Sequence, residues 1–251
     1  MNVLTVQGLA KSFGGVQAVR DLTFSIAAGE LLAMIGPNGA GKSTCFNLIN
    51  GQLRPDAGEV LLEGKNIRGL APRELCRLGI GRTFQVAATF GSMTVRENVQ
   101  LAVLSIERKL NSPLASFEGS AKENAQRILQ QVGMDAQSDR QCAELAYGDL
   151  KRVELAMALA SRPRLLLMDE PTAGMAPAER RLLIGLVESI SRAERIAVLF
   201  TEHDMDVVFG HADRVLVLAE GELIAQGTPA EVRADARVRA VYLGNEARDA
   251  A

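Results

Sequence analysis

The sequence predicts an α/β protein: a core with a parallel sheet, an N-terminal antiparallel β subdomain and a helical insertion. Three observations carry this. Short apolar runs at 31–35 and 165–168 are each followed by amphipathic segments, as in strands buried on both faces and joined by helices. Strand signals vanish between about residues 94 and 160 and then return. Near the N-terminus, 3–6 and 19–26 alternate apolar and polar residues, the pattern of half-buried antiparallel strands.

Taken in order, Phe13-Gly14-Gly15 supplies the turn between the first two strands. The run 31–35 is the first buried strand. Residues 58–63 form another, flanked by Pro55-Asp56 and Gly64, and 72–78 form a short helix. Residues 81–85 lead into the insertion. There, 94–110 and 122–132 read as helices, with 111–120 as a Ser-, Gly- and Pro-containing loop, and a third helix starts near Tyr147. Strands follow at 164–169, 196–201, 214–219 and 222–226, assigned to the parallel core, with helices at 178–192 and 205–210 between them.

Bulk properties narrow the function. With 251 residues, 47% apolar and 23% charged, the chain can bury an ordinary core. A net charge of −2 without a long basic block gives no nucleic-acid footprint. Cys45, Cys76 and Cys142 are widely spaced and form no C-x-x-C pair, which predicts reduced thiols packed in a cytosolic protein. No apolar run approaches the ~20 residues of a spanning helix. Residues 1–13 lack an export signal. Any membrane connection is therefore expected through a partner.

Directly behind the run 31–35 stands Gly36-Pro37-Asn38-Gly39-Ala40-Gly41-Lys42-Ser43-Thr44, with an amphipathic run behind it. This fits the phosphate-binding P-loop, G-x-x-x-x-G-K-S/T. Glycines let backbone N–H groups converge on one anion, and the helix that starts there adds its positive end. Lys42 is placed for the β- and γ-phosphates and the Ser43 hydroxyl for Mg²⁺.

The run 165–168 ends in Asp169-Glu170. Asp169 suits a Mg²⁺ ligand at a strand end. Binding alone needs one acid; a water to be oriented and relieved of a proton explains Glu170. His203, one of two histidines, follows the strand 196–201, whose carboxyl end should open into the same crevice. There it can meet the γ-phosphate. Gln85 stands where core meets insertion and can contact the Mg²⁺ or the water.

These motifs, in this order and over nearly the whole chain, resemble the ATP-binding subunits of ABC transporters: a P-loop at 36–44, a Q-loop at Gln85, a signature-like LAYGD at 145–149, Walker B at 165–170 and a switch histidine at 203. The resemblance implies one ABC-type P-loop NTPase domain. Its α/β core spans 1–92 and 161–226, with a helical subdomain at 93–160 and a C-terminal extension at 227–251. It implies an ATPase that uses ATP and Mg²⁺, with Ser43, Gln85 and Asp169 at the metal and Glu170, His203 and Gln85 catalytic. Phe13 is implied to stack on adenine. A second ATPase subunit, identical or related, is implied to close head-to-tail so that Gly148 of one signature meets the other subunit's ATP. Permease subunits are implied to dock a short helix in a groove along 83–93, with Phe84, Val86 and Phe90 as its apolar lining. An external solute-binding protein is implied to act indirectly, and the chain is implied to sit on the cytoplasmic face of the inner (plasma) membrane.

LGIGRTFQ at 78–85, MTVRENV at 93–99, EPTAGMAP at 170–177 and the segment 227–244 look like the importer branch for branched-chain amino acids, with relatives that import urea, amides or other small solutes. The alternatives are the ATPase of a lipopolysaccharide-type exporter and a non-transport ABC ATPase. Three positions depart from the family pattern. Ala146 replaces the usual signature serine, Asp149 the usual glutamine, and Ala176 the usual acid or amide after Walker B.

Overall fold

The computed structural model describes residues 1–83, 89–106 and 117–241. Two sheets organise it. In the first, β1 (Asn2–Phe13), β2 (Val16–Ala27), β4 (Ala57–Leu62) and β5 (Lys65–Asn66) lie antiparallel in the order β2-β1-β4-β5. The β1–β2 link is two residues, Gly14 and Gly15, both at positive φ (51° and 90°), as the tightest hairpins require.

The second sheet holds β3 (Leu31–Ile35), β6 (Ile80–Thr83), β7 (Leu165–Asp169), β8 (Ala197–Thr201), β9 (Arg214–Ala219) and β10 (Glu222–Gly227), in the order β10-β9-β3-β8-β7-β6. The five strands from β9 to β6 are parallel. β10 is antiparallel to β9, against the expectation that it continues the parallel set. The reason is the two-residue link Glu220-Gly221, at φ 49° and 84°; a parallel return needs a dozen residues or more.

Continuous apolar runs are explained by burial on both faces of this sheet. Leu31, Ala33, Ile35, Leu166, Met168, Val198 and Phe200 join one apolar cluster. Their alternating neighbours Leu32, Met34, Leu165, Leu167, Ala197 and Leu199 join the other. The second cluster is shared with the antiparallel sheet and with Cys45, Phe46 and Ile49 of α1 (Lys42–Ile49). The first is shared with α3 (Val95–Ile106), α4 (Phe117–Gln131), α5 (Tyr147–Leu159) and α6 (Pro177–Glu194). Each fully buried Leu, Ile or Phe contributes roughly 1.5–3 kcal/mol, so the sheet is clamped from both sides.

Three short α-helices, α2 (Pro72–Arg77), α7 (Met205–His211) and α8 (Pro229–Ala234), and two 3₁₀ turns, Asp135–Gln137 and Cys142–Glu144, complete the described fold. Residues 117–120, expected in a loop, are the first turn of α4. Its buried Ala121, Ala125 and Ile128 repeat at helical spacing and draw the preceding Ser and Gly into the same helix. The three cysteines are free, with Cys45 and Cys142 buried and Cys76 half-buried. Among the described residues, no helix is long and apolar enough to cross a membrane.

Candidate functional site

Three parallel strands end on one edge of the central sheet, and each delivers polar groups there. β3 runs into the glycine loop, β7 ends at Asp169, and β8 ends at Thr201, followed by Glu202 and His203.

Close backbone approaches shape the glycine loop. A Cβ on Gly36 would stand 2.1 Å from the Leu218 carbonyl oxygen, and one on Gly41 would stand 2.3 Å from that of Ala18. At φ 153° and 101°, both residues also use backbone space that favours glycine. Asn38 and Gly39 are exposed, Pro37 and Thr44 half-buried, Ala40 buried, and Ser43 exposed in the first turn of α1. Gly41 is the N-cap of α1 without a side-chain cap, and no acid lies in the first turn. The positive helix end is thus left for an external anion.

Lys42 is 8% exposed, and its Nζ donates to the carbonyls of Gly36 (2.6 Å) and Pro37 (3.0 Å). Burial lowers its pKa, while the Glu170 and Asp169 carboxylates counter that shift. The loop's cation therefore stands in the field of the two acids that end β7.

Those acids are set from β8. Thr201 Oγ1 donates to Asp169 Oδ1 (2.7 Å) and accepts the Glu170 N–H (3.0 Å). Arg82 of β6 approaches Asp169 Oδ2 at 3.8 Å while donating to Asn47 and Gln52. Burial lowers the Arg82 pKa, and Asp169 opposes that. Glu170 sits at φ 48°, in the left-handed region, a cost of about 1–2 kcal/mol for a residue with a Cβ. His203 Nε2 lies 2.9 Å from Glu170 Oε1. One residue earlier, the buried Glu202 accepts the N–H and hydroxyl of Thr172 (2.9 and 2.6 Å), tying β8 to the loop after Glu170.

Sequence-predicted residues therefore meet in part. Lys42, Asp169, Glu170 and His203 gather at one edge. Phe13 is exposed at the β1–β2 hairpin tip. Gly148, in the first turn of α5, has Glu179 and Met175 as its nearest neighbours rather than Lys42 or Asp169. Gln85, with Phe84 and Val86, lies outside the described residues. Ala146 is the N-cap of α5 and gives it no side-chain cap; Asp149 accepts from Gln137 Nε2 (3.2 Å). Ala176 N-caps α6, its N–H held by the Glu179 carboxylate at 3.3 Å. Thr201, Arg82 and Glu202 were not singled out from the sequence. The available signal for Thr201 was a single polar residue closing the apolar run AVLFT.

A parallel sheet whose strand ends carry a glycine loop, a buried lysine, adjacent acids and a histidine defines a P-loop nucleotide-binding protein. Residues 19–173 match the family model described as ABC transporter, and residues 222–248 match that of the branched-chain amino acid ATP-binding cassette transporter. The high-affinity branched-chain amino acid transport ATP-binding protein LivG of Escherichia coli (strain K12) is 36% identical, over 96% of this chain and 98% of that protein. The lipopolysaccharide export system ATP-binding protein LptB of Acidithiobacillus ferridurans is also 36% identical, over 97% and 98%. A nucleotide-free ATP-binding cassette from an ABC transporter aligns with TM-score 0.85 at 33% identity, over 96% of this chain and 99% of that one. An ATP-binding cassette solved in its ADP conformation aligns with TM-score 0.86, at 33% identity over 97% and 99%. The chain belongs to the ABC transporter family, as an ATP-hydrolysing transporter subunit.

Proposed function

We propose that this subunit energises an importer for branched-chain or other amino acids, or for a related small solute such as urea or an amide. The observation that carries the hydrolytic part is the convergence of Lys42, Asp169, Glu170 and His203 on one sheet edge. The importer part is favoured over the exporter by the match of residues 222–248, since LivG and LptB are equally identical to the chain.

The reading assigns ATP to a cradle of residues 36–44, with the phosphates on the loop N–H groups and Lys42, and adenine against Phe13. Ser43 and Asp169 offer a hydroxyl and a carboxylate, oxygen donors that fit Mg²⁺. Together with Gln85, assigned to the same ion, they would hold it, and it would supply positive charge against the phosphates. Glu170 accepts the proton of the attacking water. His203 orients Glu170 through the 2.9 Å contact and is assigned to the γ-phosphate. Thr201 holds Asp169 in place from the neighbouring strand.

Residues 1–92 and 161–226 form the core in this reading, 93–160 the helical subdomain and 227–251 the C-terminal extension. A second ATPase subunit, identical or related, brings its signature to this chain's ATP, while Gly148 serves the partner's. Permease subunits dock where Phe90, Leu101, Ala102, Ile106, Met157 and Ala158 line a cavity of about 370 Å³ beside β6. Phe90 is 53% exposed there. That docking keeps the chain on the cytoplasmic face of the inner membrane, and a solute-binding protein acts through the permease. Purification from solubilised membranes tests the proposal. The chain should bring permease subunits with it, and an amino acid with its binding protein should stimulate ATP turnover. Stimulation by lipopolysaccharide instead, or no membrane subunit at all, would overturn it.

A further inference from the structure

Phe13 is 46% exposed at the tip of the β1–β2 hairpin. The hairpin reaches the phosphate cradle. The Ala18 carbonyl is what a Cβ on Gly41 would strike, and the Arg20 N–H donates to the Gly221 carbonyl (2.8 Å), whose own N–H donates to Ala40 (3.1 Å). An open aromatic face on a hairpin that touches an anion cradle suits the base of a nucleotide. Stacking on it requires a ring held still, yet this ring stands beside Gly14 and Gly15, where no Cβ restricts the backbone.

A small polar network restrains it. Lys11 Nζ lies 5.5 Å from the Phe13 ring centroid. The same amino group donates to Asp56 Oδ1 (2.7 Å), while Asp56 Oδ2 accepts the N–H of Ser12, the residue before Phe13 (2.8 Å). The Arg68 guanidinium donates to the Pro55 and Asp56 carbonyls, 3.1 Å each, and so fixes the carboxylate's own backbone. One acid thus grips both the cation on the ring and the chain that carries the ring. Lys11 is well covered, with 17% of its side chain exposed.

We infer that Lys11 and Asp56 are positioning residues for the nucleotide base. Lys11 covers one face of Phe13 and leaves the opposite face as a one-sided stacking platform, and Asp56 locks the lysine there. The cation draws ring electron density towards itself, so the open face meets an electron-rich purine favourably. The inference rests on the nucleotide reading above and adds residues that contact neither phosphate nor metal.

Equilibrium titrations with a non-hydrolysable ATP analogue and with tripolyphosphate, both with Mg²⁺, test it. Lys11→Met should weaken analogue binding about two- to fivefold, the size of an exposed cation–π contact. It should leave tripolyphosphate binding unchanged, because tripolyphosphate has no base. Asp56→Asn should give the same split, and Lys11→Arg should restore binding. On a Phe13→Ala background, Lys11→Met should add no further loss. Equal losses for both ligands, a loss that persists without Phe13, or no loss of analogue binding would each overturn the inference while leaving nucleotide binding intact. A parental chain that binds neither ligand would overturn the nucleotide reading, and this inference with it.

Discussion

Thr201 Oγ1 donates to Asp169 Oδ1 across 2.7 Å, and the same oxygen accepts the Glu170 N–H, so one hydroxyl on β8 sets both acids at the end of β7. Thr201→Val keeps the shape and removes that hydroxyl. A lost hydrogen bond to a charged group costs about 1.5–3 kcal/mol. ATP turnover should fall about ten- to a hundredfold, mostly in kcat, because the phosphate cradle is untouched. Thr201→Ser should recover most of it. Steady-state kinetics with a thermal melt check both effects.

Glu170→Gln keeps size and hydrogen bonding and removes the proposed base. Nucleotide binding should persist while hydrolysis drops by ~10²-fold or more. On the proposed reading, in which two subunits close around ATP, the variant should accumulate as an ATP-bound dimer, visible by size-exclusion chromatography. Parental turnover in this variant would remove Glu170 from the role of base.

Lys42→Ala should weaken binding of an ATP analogue at least tenfold, about 1.4 kcal/mol. The parental lysine also sets a pH dependence. Burial puts its folded-state pKa below 10.5. The protonated form therefore opposes folding, and that opposition relaxes as pH rises between the folded pKa and 10.5. Phosphate binding favours the protonated form. Titration calorimetry at alkaline pH, in buffers of differing ionisation enthalpy, should record proton uptake with the analogue, and Lys42→Ala should abolish it.

Phe90→Asp should weaken permease association and leave analogue binding by the isolated subunit unchanged. The ring is exposed at the cavity, while the Phe90 backbone is fixed from within: its N–H and carbonyl bond to the buried Asn98 at 2.8 and 3.1 Å. Affinity capture with solubilised permease measures the first effect. Loss of both together would indicate a folding defect and remove the docking assignment.

Ala146→Ser should raise stability, since it supplies the missing cap of α5; such caps contribute about 0.5–2 kcal/mol. If the same hydroxyl reaches the opposite subunit's nucleotide, turnover of the assembled dimer should rise as well. A higher melting temperature with unchanged turnover would limit Ala146 to a capping position.

Much of the fold was legible because burial on both faces writes itself as continuous apolar runs. β3, β7, β8 and β9 lie within one residue of their expected bounds for that reason. Direction was not legible for β10, because side-chain alternation is the same in either sense; only the length of its link to β9 decides. The start of α4 was hidden by Ser and Gly, whose weak helix preference was overridden by packing of Ala121 and Ala125. Lys42, Asp169, Glu170 and His203 were visible as motifs. Thr201 was not, because it acts across the sheet on a residue 32 positions away, where periodicity along the chain carries no signal.

The left-handed backbone of Glu170 has a consequence for anyone who improves this protein by heat alone. Glycine and asparagine tolerate that φ better than glutamate does. A library screened only for survival at high temperature should therefore enrich Gly and Asn at 170, each melting later by the relief of about 1 kcal/mol of strain. With Glu170 as the proposed base, the winners would be well folded, would still bind nucleotide, and would turn over almost none of it. Position 170 thus reports, in a single sequencing experiment, whether a selection rewarded work or mere endurance.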